Sequence, residues 1–431
     1  MVYKAVRGME DILPKDVHLW QWLERVAKRE LEYYGYEEIR TPIVEDTALF
    51  ARSIGEGTDI VSKEMYSFKD KKERSLTLRP EGTAPIVRSY VEHSLDKISP
   101  EINLYYIGPM FRSERPQKGR KRQFHQIGVE RFGNGTYHTD ALVIQQLYHM
   151  LKAGFGLDGF EIKLNSLGCK KDKANFEEKL KKNIAKDPSK LCSDCRERAK
   201  RNVLRVLDCK KESCKQFLLK APSVLDSLCS DCKEHFNGLK AALKAMNIDF
   251  TETKNLVRGL DYYTGTVFEI THPALGAQDA IGAGGRYDDL VKDFGGLKID
   301  AIGYALGIER LVIALKDTKK IPKPKTIYVA GIGSIGSEPI VKAGIIAETL
   351  RMALGRQGGM HIRVITGTKI SSLKAQLKSA DKAGAEIVII LGDDEISSGE
   401  LTLKDMVKKE QIKVSSDPSD ELIKAIKKRI E

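Results

Sequence analysis

The spacing of apolar residues changes along this 431-residue chain, and each change predicts a different element. Apolar positions at three- and four-residue steps predict an amphipathic helix over residues 17–34. Near the middle of the chain, residues 105–112 and 124–131 alternate with a period of two on either side of a polar, mostly basic loop at 113–122. Alternation on both sides of a turn-rich segment predicts an antiparallel β-hairpin.

The second arm of this hairpin has two chemically different faces. If Ile127 and Val129 face the core, Gln126 and Glu130 share the opposite face, with Gly128 between them. A glycine between two polar residues predicts a small polar hollow on the sheet. An ordinary hairpin with a solvated outer face is the alternative that this pattern leaves open.

Two further changes of pattern predict the domain organisation. Short helical runs with 20 Lys and Arg against 12 Asp and Glu predict a basic, Cys-rich, mainly helical insertion at 170–250. A Pro/Lys-rich linker follows at 321–325, and strands alternate with helices over 326–431, as in a small α/β domain. We therefore predict one domain over 1–320, which contains the insertion, and a second domain over 326–431.

Charge and composition narrow the class of protein. The net charge of +12 is compatible with an acidic partner, and the basic density of the loop at 113–122 is typical of contact with a phosphate backbone. The N-terminal residues contain no apolar signal core, and no run approaches the roughly 18 apolar residues of a membrane helix. We expect a cytoplasmic protein without a membrane segment.

Six of the seven cysteines lie in the predicted insertion, and the seventh, Cys169, directly precedes it. Cys192 and Cys195 form one Cys-x-x-Cys pair, and Cys229 and Cys232 form another. Four thiolates at this spacing could close a tetrahedral structural zinc site in a segment with little core of its own. Inert buried thiols are the alternative reading.

Other catalytic motifs are weak or missing. Residues 331–336 match the G-x-G-x-x-G pattern of dinucleotide-binding proteins, but no acid follows the next predicted strand to hold a ribose. The chain contains no His-Glu-x-x-His, no G-x-S-x-G and no Walker loop. Hydrolase and P-loop functions therefore have no support.

Two segments place polar groups beside small residues. Glu81 follows a proline and precedes a glycine, at a predicted corner from strand to helix where functional sites tend to be built. The segment 301–315 presents a small-residue surface that leads to Arg310, whether it forms a strand or a helix. Such a surface allows a planar base, or another backbone, to approach closely.

The combination of these segments resembles histidyl-tRNA synthetase, a class II aminoacyl-tRNA synthetase, in both order and spacing. The matching segments are Arg79-Pro-Glu-Gly-Thr83, Phe111-Arg-Ser-Glu114, Gln126-x-x-x-Glu130, Leu256-Val-Arg-Gly-Leu-Asp-Tyr-Tyr263, Gly284-Gly-Arg-Tyr-Asp288 and Gly307-x-Glu309-Arg310. The RGLDYY and GGRYD segments are specific to the histidine enzyme and its close paralogue. The linker and C-terminal domain resemble the family's anticodon-binding domain, so the likeness covers nearly the whole chain.

This resemblance implies an α+β catalytic domain on a six-stranded antiparallel sheet, with a mainly helical insertion and a C-terminal α/β anticodon-binding-like domain. It also implies a homodimer that binds L-histidine, ATP with Mg²⁺, and tRNA(His). The expected reaction forms histidyl-adenylate and pyrophosphate, and then transfers histidine to the 3′ end of the tRNA. The cysteine-rich insertion is not part of the family's common signature.

The resemblance assigns three arginines to the phosphates of ATP. It puts Arg112 and Arg258 at the α-phosphate as the catalytic pair, and Arg310 at the γ-phosphate, with Glu114 also in the ATP site. Fixed guanidinium groups at developing negative charge supply electrostatic catalysis.

The resemblance also assigns the histidine and tRNA contacts. The residues that it assigns to the ammonium, carboxylate and imidazole groups of histidine are Glu81, Thr83, Arg112, Gln126, Glu130, Arg258, Tyr262 and Tyr263. Of these, Glu130 and Tyr263 are expected to bind the two ring nitrogens, because a carboxylate opposite a phenol can read both edges of imidazole. Gln117, Arg120 and Arg122 are candidates for contact with the acceptor end of tRNA.

The main alternative is a paralogue that keeps the fold as a regulatory subunit of histidine biosynthesis and has no aminoacylation activity. Such proteins lose catalytic residues and the anticodon domain, whereas Glu130, Arg258, Tyr263 and Arg310 are all present here. A tRNA-sensing module is a further alternative. A class II synthetase for another amino acid is another, but Glu130 and the RGLDYY segment argue against it.

Overall fold

The computed structural model describes residues 3–55, 57–207, 209, 211–257, 259–316, 325–334, 336–355, 362–367, 372–416 and 420–430. The chain divides into two compact units, 1–320 and 321–431. The predicted linker at 321–325 lies outside the described residues except for Lys325, with which the first strand of the second unit begins.

The first unit contains eleven strands and ten α-helices among its described residues. The strands are β1 (Glu37–Glu38), β2 (Val44–Asp46), β3 (Tyr66–Lys69), β4 (Ser75–Leu78), β5 (Ile102–Phe111), β6 (Gln123–Phe132), β7 (Glu161–Ser166), β8 (Thr251–Glu252), β9 (Thr264–Thr271), β10 (Ala280–Arg286) and β11 (Ala301–Gly307). The α-helices are α1 (Pro14–Tyr33), α2 (Thr47–Ile54), α3 (Thr83–Glu92), α4 (Tyr137–His149), α5 (Lys170–Lys186), α6 (Ser193–Arg201), α7 (Glu212–Leu218), α8 (Ser230–Ala245), α9 (Leu290–Asp293) and α10 (Ile308–Leu315). Short 3₁₀ or π turns lie at Ile60–Glu64, Leu95–Lys97, Met150–Gly154, Pro188–Lys190, Val203–Val206, Val224–Ser227 and Pro273–Gln278.

The main sheet of this unit has the strand order β1-β5-β6-β11-β10-β9-β7-β8. The six inner strands, from β5 to β7, are antiparallel to their neighbours, whereas the two-residue strands β1 and β8 pair in parallel at the edges. The six-stranded antiparallel sheet that the resemblance implies is therefore confirmed, with two short edge strands added. Strands β2, β4 and β3 form a separate small sheet.

The central hairpin forms as the alternation predicts. Strand β5 pairs with β6 so that Tyr105 lies opposite Val129 and Ile107 lies opposite Ile127. Ile127 and Val129 are fully buried against a core to which α1 and α4 also contribute. The polar residues of β6 consequently face the other side of the sheet.

The segment 301–315 contains both of the elements that its sequence left open. It is a strand up to Gly307, paired with β6 and β10, and then becomes a helix from Ile308. This change of element at the small-residue end of the strand positions Glu309 and Arg310 in the first turn of α10.

The insertion is helical, as predicted, and has a small core of its own that includes Phe176, Leu180 and three buried cysteines. Its last helix, α8, is tied to the main sheet by buried charges. Asp140 on α4 accepts hydrogen bonds from Arg286 at 2.6 Å and contacts His235 on α8 at 2.8 Å. The buried side chains of Asp140 and Arg286 therefore form an ion pair, as the burial of charged groups requires.

The second unit is the small α/β domain that the sequence predicts. Its strands are β12 (Lys325–Gly331), β13 (Ile362–Thr366), β14 (Ile387–Leu391), β15 (Glu400–Asp405) and β16 (Gln411–Ser415), and its helices are α11 (Glu338–Gly355), α12 (Leu373–Lys382), α13 (Asp393–Ser398) and α14 (Asp420–Ile430). The sheet order is β13-β12-β14-β15-β16, parallel over the first three strands and antiparallel over the last three. The short helix α13 is an element that the apolar spacing did not predict.

None of the helices that the structure describes combines the length and the apolar character that crossing a membrane requires.

Candidate functional site

A cleft of about 760 Å³ lies on the polar face of the main sheet. Nine of the residues predicted to bind histidine, ATP or tRNA line it, namely Glu81, Thr83, Arg112, Glu114, Arg120, Gln126, Tyr262, Tyr263 and Arg310. The small residues Gly303, Ala305 and Gly307 of β11 also line the cleft. Residues far apart in the sequence are therefore brought to one surface by the pairing of β6 with β5 and β11.

Glu81 forms the corner between β4 and α3 that the sequence predicts. Its carboxylate oxygens accept hydrogen bonds from the backbone N–H groups of Thr83, at 2.7 Å, and Ala84, at 2.8 Å. These bonds satisfy donors at the start of α3 that have no partner within the helix. Burial raises the pKa of Glu81, although the same hydrogen bonds and Arg112 act in the opposite direction.

Glu130 lies directly behind the lining of the cleft and is almost completely buried. Thr83 Oγ1 donates to Glu130 Oε1 at 2.6 Å, and the hydroxyl of Tyr287 donates to Oε2. Burial raises the pKa of Glu130 to about 8, and the nearby Glu81 adds to this shift, while the two hydrogen bonds oppose it. The carboxyl group is thus held in one orientation by two hydroxyl groups.

This shift predicts a pH dependence of stability that depends on Glu130. Between its ordinary pKa of 4.5 and about 8, the folded protein keeps a proton that the unfolded chain releases, so the free energy of unfolding falls as the pH rises through this window. As the pH rises from about 6 to about 8, we expect the free energy of unfolding of the unsubstituted protein to fall by about 2 kcal/mol more than that of Glu130→Gln.

The measurement is chemical denaturation followed by tryptophan fluorescence, because both tryptophans, Trp20 and Trp22, lie in the first unit. The unsubstituted protein and the variant are compared without ligands. A stability difference that does not change with pH would mean that Glu130 ionises in the ordinary range.

Tyr287 belongs to the site but was not predicted as one of its residues. It follows β10 in the GGRYD segment, lines the cleft and reaches Glu130 from the side opposite Thr83. Its ring packs edge-on against Tyr262, with centroids 5.8 Å apart, and Tyr262 in turn contacts Tyr263. The signal available in the sequence was its position in a motif specific to the histidine enzyme and its paralogue.

The polar hollow that the sequence predicts at Gly128 lies at Gln126 instead. A side chain at Gly128 would collide with the ring of Tyr106, which already fills the space above the glycine. Gln126 instead lies opposite Gly307 of β11. Its Oε1 atom is buried and has no hydrogen-bond partner among the residues that the structure describes. An acceptor of this kind fits a ligand that donates hydrogen bonds.

The guanidinium of Arg112 is anchored through only one of its three nitrogens. Its Nε donates to the carbonyl oxygen of Pro80 at 2.8 Å, and its guanidinium lies 5.3 Å from the ring centroid of Phe124. The described part of the chain provides no hydrogen-bond partner for the two terminal nitrogens. A guanidinium fixed in this way can hold a phosphate or a carboxylate.

Arg310 approaches the cleft from α10. Its Nε donates to the carbonyl oxygen of Gly119 at 3.1 Å, and its Nη1 donates to the backbone of Gln278 at 3.3 Å and of Ala280. Burial lowers the pKa of Arg310, and the nearby positive charge of Arg120 lowers it further. Several cations concentrated in one cleft favour a polyanionic ligand.

The neighbouring Glu309 holds α10 to the hairpin. Its two carboxylate oxygens accept a hydrogen bond from the backbone N–H of His125 on β6, each at 3.0 Å. This contact aligns the start of α10 with the strand that carries Gln126 and Glu130. Glu309 belongs to the Gly307-x-Glu309-Arg310 motif, but the sequence alone does not predict this positioning contact.

The loop between β5 and β6 separates into two kinds of residue. Arg120 lines the cleft, where it contacts Glu114 at 3.2 Å and Gln278 at 2.8 Å. Gln117 is exposed at the tip of the loop, and Arg122 donates to the carbonyl oxygen of Glu114 at 3.3 Å outside the cleft lining. Arg258, predicted as a catalytic residue, lies outside the described residues.

The zinc site predicted from Cys192, Cys195, Cys229 and Cys232 is wrong in its grouping. The described structure gathers four cysteines, Cys192, Cys195, Cys209 and Cys214, with their ligand atoms all within 4.8 Å of one another. The second Cys-x-x-Cys pair belongs to a different group, formed by Cys169, Asp172, Cys229 and Cys232. Each Cys-x-x-Cys pair lies next to residues other than the second Cys-x-x-Cys pair with which the sequence grouped it.

Comparison with known proteins identifies the family of both units. A family model described as Histidyl-tRNA synthetase matches residues 8–311, and one described as an anticodon-binding domain matches residues 340–429. The chain is 47% identical over 406 residues to a protein of Syntrophotalea carbinolica named Histidine–tRNA ligase, with 94% of each chain covered.

Two further likenesses extend over the whole chain. A protein of Thermodesulfovibrio yellowstonii, also named Histidine–tRNA ligase, is 47% identical over 425 residues, with 98% of this chain and 99% of the relative covered. The crystal structure of apo S. aureus histidyl-tRNA synthetase covers 100% of both chains with a TM-score of 0.76 and 34% identity.

Proposed function

The chain belongs to the histidyl-tRNA synthetase family, and we propose that its two units together act as a histidine–tRNA ligase. In the first step, the carboxylate of histidine attacks the α-phosphate of ATP, so that histidyl-adenylate forms and pyrophosphate leaves. In the second step, a ribose hydroxyl at the 3′ end of tRNA(His) attacks the carbonyl carbon of the adenylate, and AMP leaves. The relatives matched over their full length do not favour the regulatory paralogue.

The buried carboxyl group of Glu130 is the observation that carries the assignment to histidine. In its ionised form, its two oxygens accept hydrogen bonds from Thr83 and Tyr287, and each retains a second lone pair for a further donor. One ring nitrogen of histidine would donate to Glu130, while the hydroxyl of Tyr263 would meet the other. Selective sites of this kind reject analogues that lack the matching hydrogen bonds.

The α-ammonium group would lie between Gln126, Glu81 and Thr83. The unpartnered Oε1 of Gln126 supplies one acceptor, and the Glu81 carboxylate supplies negative charge at the same wall of the cleft. An ammonium group has three donors and no acceptor, so it suits a site made of oxygens.

The arginines would cancel the repulsion between the histidine carboxylate and the phosphates of ATP. Arg112, already anchored through Nε, would hold the α-phosphate and the carboxylate, with Arg258 as its catalytic partner. Arg310 would hold the γ-phosphate, and the small residues Ala305 and Gly307 would leave room for the adenine.

The family generally uses ATP together with Mg²⁺. Glu114 and Glu269 are among the carboxylates that line the cleft and offer the oxygen ligands that this ion prefers. We also propose that zinc is the metal of the cysteine-rich insertion, because thiolates are its usual ligands in structural sites.

The remaining assignments concern partners and location. We assign the catalytic domain to 1–320, with its insertion at 170–250, and the anticodon-binding domain to 326–431. A homodimer is supported by the apolar side chains of Ile43, Val44 and Phe68, which are exposed on or beside the small sheet. The exposed Gln117, together with Arg120 and Arg122, would meet the acceptor end of tRNA. A cytoplasmic location follows from a role in charging tRNA for the ribosome.

The direct test of the ligase is transfer of labelled histidine to tRNA. Purified full-length protein is incubated with ATP, Mg²⁺, labelled histidine and total tRNA, and acid-precipitable label is counted. We expect transfer that depends on both ATP and tRNA. Failure to label tRNA under conditions that support histidine activation would overturn the ligase assignment and favour a non-transferring paralogue.

Tyr263→Phe tests the second ring contact. The substitution removes one hydroxyl and leaves the aromatic packing with Tyr262, so we expect the KM for histidine to rise about 10- to 100-fold. The KM for ATP should change by less than about twofold, because the lost hydrogen bond is made to histidine. Equal effects on both substrates, measured by pyrophosphate exchange, would remove Tyr263 from ring recognition.

A further inference from the structure

Four cysteines of the insertion meet at the wall of the active-site cleft. Their ligand atoms all lie within 4.8 Å of one another, and Cys195, Cys209 and Cys214 are buried. Cys192, Cys195 and Cys209 also line the cleft that contains the predicted histidine and ATP residues. We call this set the cleft cysteine group.

The geometry of the cleft cysteine group fits a tetrahedral metal ion. Cys192 Sγ lies 4.0 Å from Cys209 Sγ, close to the separation of about 3.8 Å expected for thiolates bound to zinc at about 2.3 Å in a tetrahedron. The backbone N–H of Cys192 donates to Cys214 Sγ at 3.2 Å, a bond that stabilises a charged sulfur. Each thiol would bind as a thiolate after releasing its proton to solvent.

The second group differs in its chemistry. It contains three cysteines and Asp172, and Asp172 already accepts hydrogen bonds from the backbone N–H groups of Cys229, at 3.0 Å, and Cys169, at 3.4 Å. The carboxylate therefore serves the N-termini of α5 and α8 without any metal. Its cysteines provide a control for substitutions in the cleft cysteine group.

The chain between the metal ligands contacts the loop that carries Tyr262 and Tyr263. Asn202 Nδ2 donates to Asp261 Oδ1 at 2.8 Å. Arg205 lies so close to Gly259 that a Cβ there would be 2.9 Å from its Nη1. Both residues lie in the stretch of 13 residues that separates Cys195 from Cys209.

A second contact joins the same stretch to Asp59, which directly precedes the π turn at Ile60–Glu64. Arg198 Nη2 lies 3.2 Å from Asp59 Oδ2, and Arg205 lies 3.5 Å from the same oxygen. All three side chains line the cleft. Residues 198, 202 and 205, which lie between two of the cysteines, thus contact two segments that line the cleft.

We propose that the cleft cysteine group binds one structural Zn²⁺, and that this ion positions the loop 259–263 for histidine binding through Asn202 and Arg205. The insertion has only a small apolar core, so a metal that joins residues 192 and 214 supplies order that packing alone does not. The metal assignment stands by itself, whereas the positioning role rests on the proposed function.

The metal assignment is tested by zinc content and by cobalt substitution of the full-length protein. Cys195→Ser/Cys214→Ser should contain one zinc per chain fewer than the unsubstituted protein, and equal zinc in both would overturn the site. In the Co²⁺-loaded protein, absorption bands of a tetrahedral thiolate complex should disappear in the double variant and persist in Cys229→Ser. Loss of the bands in Cys229→Ser but not in the double variant would equally overturn it.

The positioning role is tested with Asn202→Ala, which leaves all four cysteines in place. This variant should keep its zinc and its Co²⁺ bands, and its KM for histidine should rise about tenfold with little change in the KM for ATP. Equal rises for both substrates, or no rise, would overturn the positioning role and leave the zinc site standing. Absence of histidine activation in the unsubstituted protein would overturn the proposed function, not the metal site.

Discussion

Replacing Glu130 with glutamine is expected to raise the KM for histidine about 10³-fold and to change the KM for ATP by less than about twofold. Glutamine keeps the size of the side chain but replaces one oxygen with an N–H donor. In the unsubstituted protein the hydroxyls of Thr83 and Tyr287 donate to the ionised carboxylate, so the amide would bring one buried donor against another. The ring nitrogen of histidine would also lose its acceptor. Pyrophosphate exchange at varied histidine and ATP measures both constants.

Tyr287→Phe is the matched variant for this prediction. It leaves the carboxylate in place but removes one of the two hydroxyls that orient it, and we expect a rise of about tenfold in the KM for histidine. The rise in the KM for histidine should therefore be larger in Glu130→Gln than in Tyr287→Phe. A Glu130→Gln protein that binds histidine normally, or a Tyr287→Phe protein with the larger defect, would contradict the role given to Glu130.

Replacing Arg112 with alanine is expected to lower kcat/KM for histidine activation about 10³-fold. Its guanidinium is anchored by Pro80 and lies against Phe124, so the alanine variant removes an oriented positive charge, which we propose holds the α-phosphate. Arg112→Lys should recover only part of the loss, because lysine keeps the charge but has neither the Nε anchor nor the planar pair of donors.

Arg74→Ala is the control for this substitution. Arg74 is exposed and contacts Asp70 in a surface ion pair at 2.7 Å, which contributes little to stability. Its loss should change kcat/KM by less than about twofold. An Arg112→Ala protein whose activity stays within about tenfold of normal, or an Arg112→Lys protein with full activity, would contradict the assignment of Arg112 to the phosphate.

The sequence predicted the parts of the site that depend on local pattern. Period-two alternation was enough to predict the central hairpin and to put Gln126 and Glu130 on the face opposite Ile127 and Val129. The proline and glycine around Glu81 were enough to predict a corner. These predictions succeed because strand faces and turns are determined by neighbouring residues.

Contacts between distant segments could not be predicted in the same way. The hollow expected at Gly128 is filled by Tyr106, and the hydroxyl that completes the Glu130 site comes from Tyr287. Neither follows from spacing, because both depend on where another segment of the sheet directs its side chains.

The cysteines illustrate the same limit. The Cys-x-x-Cys spacing identified two pairs correctly, but their partners are set by how α5, α7 and α8 pack. Cys192 and Cys195 meet Cys209 and Cys214, while Cys229 and Cys232 meet the start of α5. Spacing predicts which thiols can share an ion within one turn, and only the fold decides which pairs meet.

The central claim is that this cleft activates histidine and no other amino acid. It is tested most directly by exchange of labelled pyrophosphate into ATP, with the purified full-length protein and each amino acid supplied in turn. We expect exchange that depends on histidine and stays at background with every other amino acid. Exchange that is absent with histidine, or equally fast with another amino acid, would contradict it.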